Sequence, residues 1–169
     1  MTRARDVASQ GGLVLISSTT VGTAVSSVVV NNAFSADYND YRIIYSGGVG
    51  NAFGPIGLQL TGSTTGYYSS VEANNYSNGG STAAGNSNGS SFTWLGYKGT
   101  ATASLFAELY NPFNALRTQM TARPVSDTGN NFSGSTGGFH NVASSYTGFS
   151  IIPETGTITG GTIKVYGYK

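Results

Sequence analysis

Asp37-Tyr38-Asn39-Asp40-Tyr41-Arg42-Ile43-Ile44-Tyr45-Ser46 is the stretch that decides the fold. Polar turn residues lead into aromatic and β-branched side chains, and Gly47-Gly48 closes the run. Tyr41, Ile43 and Tyr45 fall on one parity and Arg42 and Ile44 on the other, the period of a β-strand. Thr162-Ile163-Lys164-Val165-Tyr166-Gly167-Tyr168-Lys169 reads as its counterpart at the other end of the chain.

Working outward, Ile56-Gly57-Leu58-Gln59-Leu60 sets its aliphatics on one face, with Gly57 and Gln59 on the other. Pro55 before it suits a strand start. Leu116, Thr118, Met120 and Ala122 alternate with Arg117, Gln119, Thr121 and Arg123, which describes a half-exposed strand. The continuous apolar runs Leu13-Val14-Leu15-Ile16 and Val28-Val29-Val30 are expected to be buried on both faces. Residues 67–76 suit a partly exposed strand, and residues 91–97 and 104–110 are aromatic strands. Glu108 inside the last of these is expected at an edge or paired, and Asn111-Pro112 ends the run by removing a donor. Residues 74–91 and 126–138, rich in Asn, Ser and Gly, read as long loops. Residues 139–142, 147–152 and 157–168 complete the set.

No segment has a helical period and no fixed repeat appears. The expectation is an all-β chain: an antiparallel, jelly-roll-like β-sandwich of about ten short strands with essentially no helix. It places one domain over residues 13–169 behind an arm over residues 1–12. The arm carries Arg3, Arg5 and Asp6 and ends in Gln10-Gly11-Gly12. It reads either as a frayed terminus or as a docking arm, since a short polar segment buries too little area to order itself without a partner.

Composition narrows the function classes. Charged residues make up only 9% of the 169, against about a quarter in ordinary domains. The net charge of +1 leaves no electrostatic footprint for nucleic acid or an anionic membrane. The chain has no cysteine, which removes disulfides and thiolate metal sites. The start lacks the apolar core of a signal peptide, and no apolar run approaches the roughly 20 residues that span a bilayer. A soluble protein made in, or released from, a cytosol is expected.

Catalytic chemistry finds little support. His140 is the only histidine, and it reads as a surface or sheet-edge residue rather than a base, for want of an orienting acid. Asp37, Asn39 and Asp40 cap a turn more readily than they form a calcium loop, which needs more acids. The seven acids nominate no glycosidase pair. No catalytic, cofactor-binding or metal-ligating residue is assigned, and no cofactor is expected. Aromatic residues are in surplus: Tyr67, Tyr68, Tyr76, Trp94, Tyr97, Tyr146, Tyr166 and Tyr168 exceed what one small core needs. Exposed tyrosine among Ser, Asn and Gly makes an adaptable contact surface, suited to a sugar polymer or to identical subunits. Tyr67, Tyr68, Tyr76 and Asn78 are the candidate recognition residues.

The opening Thr2-Arg3-Ala4-Arg5-Asp6-Val7-Ala8, the Phe34-x3-Tyr38-x2-Tyr41-Arg42-Ile43-Ile44 strand, the Gly-, Ser- and Asn-rich loops and the Ile163-x-Val165-Tyr166-Gly167-Tyr168 ending resemble small structural proteins of tailed bacteriophages, including those of cyanophages. The resemblance implies a β-sandwich, usually trimeric, used as a capsid decoration (cement) protein or as a distal tail-fibre domain. It carries no catalytic residues. The leading expectation is a non-enzymatic decoration protein that stabilises the shell. It would form a homotrimer in a virion assembled in the host cytoplasm. Arg3, Arg5 and Asp6 would dock on the major capsid protein or another virion protein. The alternative is a tail-fibre or tail-tip subunit that recognises host surface glycan through the 74–91 loop. Neither involves nucleic acid or membrane insertion.

Overall fold

The computed structural model describes residues 12–127 and 131–169. Its strands are β1 (Leu13–Thr20), β2 (Val28–Val30), β3 (Asp40–Gly50), β4 (Gly54–Leu60), β5 (Tyr67–Asn75), β6 (Ser81–Gly89) and β7 (Phe92–Lys98). They continue with β8 (Ala103–Tyr110), β9 (Arg117–Ala122), β10 (Val125–Ser126), β11 (Phe132–Ala143), β12 (Phe149–Pro153), β13 (Ile158–Thr159) and β14 (Thr162–Tyr168). All pairings are antiparallel, and the described residues contain no helix. Among the described residues the strands number 14 rather than about ten, and they form one connected sheet rather than two separate ones.

β3 organises that sheet, as its sequence implies. Tyr41, Ile43 and Tyr45 are all fully buried. Its neighbours are β14, with Tyr166 opposite Arg42, and β8, with Glu108 opposite Arg42. The turn before it is tied down locally: Asp37 N donates to Ser35 Oγ, and the Ser35 hydroxyl donates to Asp37 Oδ2. The Tyr41 hydroxyl accepts from Ser35 N at 2.8 Å. Ser35 caps this turn, and the Asp37 carboxylate braces it by accepting from the Ser35 hydroxyl.

β8 is where the sheet divides. One side pairs with β3 along its length, whereas the other pairs with β7 through Ala103–Leu105 and with β9 through Ala107–Tyr110. One branch continues β7-β4-β12-β2 and the other β9-β11-β5-β6. The branches face each other across one core. Tyr67 of β5 meets Phe92 of β7 edge-on at 4.9 Å, and Ser69 Oγ accepts from Thr93 N at 3.2 Å. The core therefore draws on strands far apart in sequence, joined by aromatic contacts that favour such edge geometry.

Four expectations are corrected. Residues 74–91 are not one loop: Ser81–Gly89 pairs with β5 as an edge strand, because pairing needs backbone groups and not apolar side chains. Residues 126–138 mostly join β10 and β11, with Gly134 and Gly138 in β11 where a Cβ would strike the β5 backbone at 2.5 and 2.4 Å. The apolar runs of β1 and β2 are edge strands rather than central ones, so Leu15 and Val29 each remain 53% exposed. His140 is fully buried rather than on the surface. Glu108 does find a partner, on a central strand rather than an edge.

Candidate functional site

The predicted recognition residues do not converge. Tyr67 is fully buried; its hydroxyl accepts from Leu60 N at 2.8 Å and donates to Ser63 O at 3.1 Å. It is a core residue and not a surface contact, which corrects the expectation. Tyr68 points to the opposite face and stacks on Phe139 at 4.9 Å. Tyr76 is 59% exposed on the β5–β6 turn. Nine residues of extended chain, about 3.3 Å each, separate it from Tyr67. Asn78 shares that turn, its Oδ1 accepting from Gly80 N at 2.8 Å. Arg3, Arg5 and Asp6 lie outside the described residues.

A different set does converge. Between the β5–β6 hairpin and the start of the other branch lies a groove of about 500 Å³. Phe53, Trp94, Tyr97 and Phe132 form its aromatic wall, and Asn75 and Asn78 belong to its polar rim. Tyr97 is packed firmly: its ring stacks on Phe53 at 5.6 Å and meets Phe132 edge-on at 4.7 Å. Burial, with a smaller push from the Glu154 carboxylate, raises the Tyr97 phenol to about 12, so it stays protonated at neutral pH. The facing wall is small, because Thr82 and Ala84 of β6 sit opposite Ala73 and Val71 on the inner face.

Trp94 owes its position to a bulge. Phe92 and Gly96 of β7 oppose Leu58 and Ile56 of β4, so four residue steps on one strand match two on the other. Trp94 takes φ +60° within the bulge, a left-handed conformation that bulky residues avoid. Thr136 Oγ1 on the opposite branch holds it by donating to Trp94 O at 2.7 Å. Sequence reading flagged Trp94, Tyr97 and Asn78 separately; nothing in the pattern placed Phe53 and Phe132 beside them.

Two further polar clusters are built into the fold. On the outer face, Arg42 Nη2 donates to Glu108 Oε1 at 2.6 Å, Tyr110 donates to Oε2 at 3.0 Å, and the Tyr168 hydroxyl donates to Oε1. The guanidinium also lies 5.0 Å over the Phe106 ring and 5.3 Å from that of Tyr168. The Tyr168 bond, followed by those from Arg42 and Tyr110, holds the Glu108 carboxyl below its usual 4.5 despite burial. A folded-state value below the unfolded one gives stability that is complete above about pH 4.5 and lost as pH falls through the folded value. Glu108→Gln is therefore expected to lower stability by about 1 kcal/mol near neutrality, discounted for partial exposure. That deficit should shrink in acid, as read from denaturant midpoints between pH 3 and 7 (about the range in which carboxylates titrate). A deficit independent of pH would show that the charge on Glu108 contributes nothing.

Inside, His140 Nε2 lies 2.9 Å from Thr65 O and 2.8 Å from Ser63 Oγ, while Nδ1 lies 3.3 Å from the Tyr146 hydroxyl. Thr65 O can only accept, which assigns the proton to Nε2 and makes Nδ1 the acceptor from Tyr146. No carboxylate is among these partners. The histidine ties β11 to the turn before β5. Lys98 is also buried, and its Nζ donates to Ala52 O at 2.8 Å; burial lowers its pKa. Among the described residues no three His, Asp or Glu side chains gather to hold a metal ion. Comparison with family models, curated proteins and solved structures finds no match.

Proposed function

We propose that the chain is a non-enzymatic structural subunit of a tailed-phage particle, a capsid decoration protein that forms a homotrimer and binds the shell. The observation that carries this reading is an outer face whose edge strand exposes leucine, while its charges, the Arg42–Glu108 pair and Lys164, lie farther in. Leu13 and Leu15 of β1 lie opposite Tyr168 and Tyr166 of β14. The same face continues through Arg42 and Ile44 of β3 to Phe106 and Glu108 of β8. Leu13 is 41% and Phe106 36% exposed. Among the described residues β1 pairs with β14 alone, and none of them pairs with its other backbone edge. An exposed hydrophobic edge strand is a template for another chain, and monomers normally blunt such edges with charge. Here leucine stands where lysine would serve. A permanent partner is the simplest use of that edge, and low overall charge keeps repulsion between copies small.

Imaging the labelled protein in intact particles tests the location. Many copies over the shell support decoration, whereas a few at the tail would replace it with a receptor-side subunit. Sedimentation equilibrium tests the assembly. Leu15→Lys should keep the fold and weaken self-association at least about tenfold. A parent protein that stays monomeric at all concentrations would sink the edge-association reading.

A further inference from the structure

We propose that the Trp94 groove is a binding site for a neutral pyranose oligosaccharide. The inference does not depend on where the subunit sits on a particle. Among the described residues no charged side chain lines the groove, so an anionic or cationic ligand would lose its hydration without an ionic partner there. Its volume of about 500 Å³ falls within the range of small-molecule sites.

The lining has two kinds of group. Phe53, Tyr97 and Phe132 hold one another rigidly, while no aromatic ring packs against Trp94 among the described residues. The indole is therefore the stacking platform for a ligand's apolar face. At the rim, Asn75 Oδ1 accepts from Ser77 N and Asn78 Oδ1 accepts from Gly80 N. These turn bonds fix both amides and leave each Nδ2 donor without a protein partner among the described residues. The Tyr97 hydroxyl likewise has none. A pyranose presents what this arrangement lacks: a C–H face for the indole and a ring of hydroxyls for fixed, uncharged donors. An apolar ligand would leave those donors unmatched.

Backbone strain supplies an independent observation. A tryptophan at φ +60° costs about 1–3 kcal/mol, and such strain concentrates at functional sites. Bulges likewise re-aim side chains beside active sites. Glycine would take the same φ without that strain.

Cellopentaose, maltopentaose and chitopentaose serve as probes, with sialyllactose as the anionic control. Trp94 is the only tryptophan, so its emission reports the groove directly. At least one neutral probe should shift that emission saturably, with a dissociation constant below about 1 mM. Asn78→Ala, which keeps the fluorophore, should weaken binding several-fold, and Tyr76→Ala should leave it unchanged. Trp94→Gly, read by calorimetry, should bind at least about tenfold more weakly. Three results would overturn the proposal: no saturable response to any neutral probe, equal response to sialyllactose, or Trp94 shielded from acrylamide by a second copy of the chain.

Discussion

Gly96→Ala is expected to lose more than about 3 kcal/mol of stability, a large share of the 5–15 kcal/mol of an ordinary domain. Gly96 stands opposite Leu105, in the short β7 segment that joins β8 before the sheet divides. A Cβ there would lie 2.0 Å from Ser104 O and 2.7 Å from Leu105 Cα. Both are backbone atoms, so no rotamer change relieves the clash. The pairing must open, and with it the attachment of the β7-β4-β12-β2 branch. Denaturant unfolding measures the loss. Gly137→Ala is the matched control, since a Cβ on that β11 glycine meets nothing within 4 Å; it should be neutral or slightly stabilising. If Gly96→Ala unfolds at the parental midpoint, the joint at β8 is not what holds the two branches together.

That joint shows how far the sequence could be read. The strand over Tyr41, Ile43 and Tyr45 was legible because its inward face is wholly apolar and its turn is polar. Of the parity Leu116, Thr118, Met120 and Ala122, the last three are buried, whereas Leu116 precedes β9 and is 56% exposed. β6 was not legible, because it sits at a sheet edge with its inner positions, Thr82 and Ala84, opening on the groove. Such a strand needs no apolar alternation, only a partner such as β5 for its backbone. The extent of β11 was hidden because its glycines read as loop, although contact with β5 is what requires them. β1 misled in the opposite sense: a continuous apolar run reads as central, yet Leu13 and Leu15 lie at an edge. The groove follows the same logic. Trp94 and Tyr97 are neighbours in one strand, but Phe132 reaches them only through the fold, and the bulge that turns Trp94 has no sequence signature.

Tyr67→Ala is expected to cost about 4–5 kcal/mol, the upper range for truncating a buried aromatic. The ring packs edge-on against Phe92 at 4.9 Å and lies 4.4 Å from the His140 ring, so truncation opens a cavity where the two branches meet. Tyr67→Phe separates the ring from its hydroxyl. It leaves Leu60 N–H and Ser63 O without their partner, which should cost about 1–3 kcal/mol. The pH dependence provides a signature of that hydroxyl. Burial raises the Tyr67 phenol from 10.0 to about 12. Its protonated form therefore stabilises the fold fully below pH 10.0, and that contribution is lost as pH rises toward about 12. Tyr67→Phe cannot ionise there, so its deficit against the parent should narrow over that interval. A surface recognition tyrosine would behave differently: its alanine variant would stay within about 0.5 kcal/mol of the parent at every pH. Unfolding midpoints of the two variants thus decide between a residue that meets a partner and one that locks the branches together, and the buried hydroxyl bonded to Leu60 and Ser63 places Tyr67 with the second.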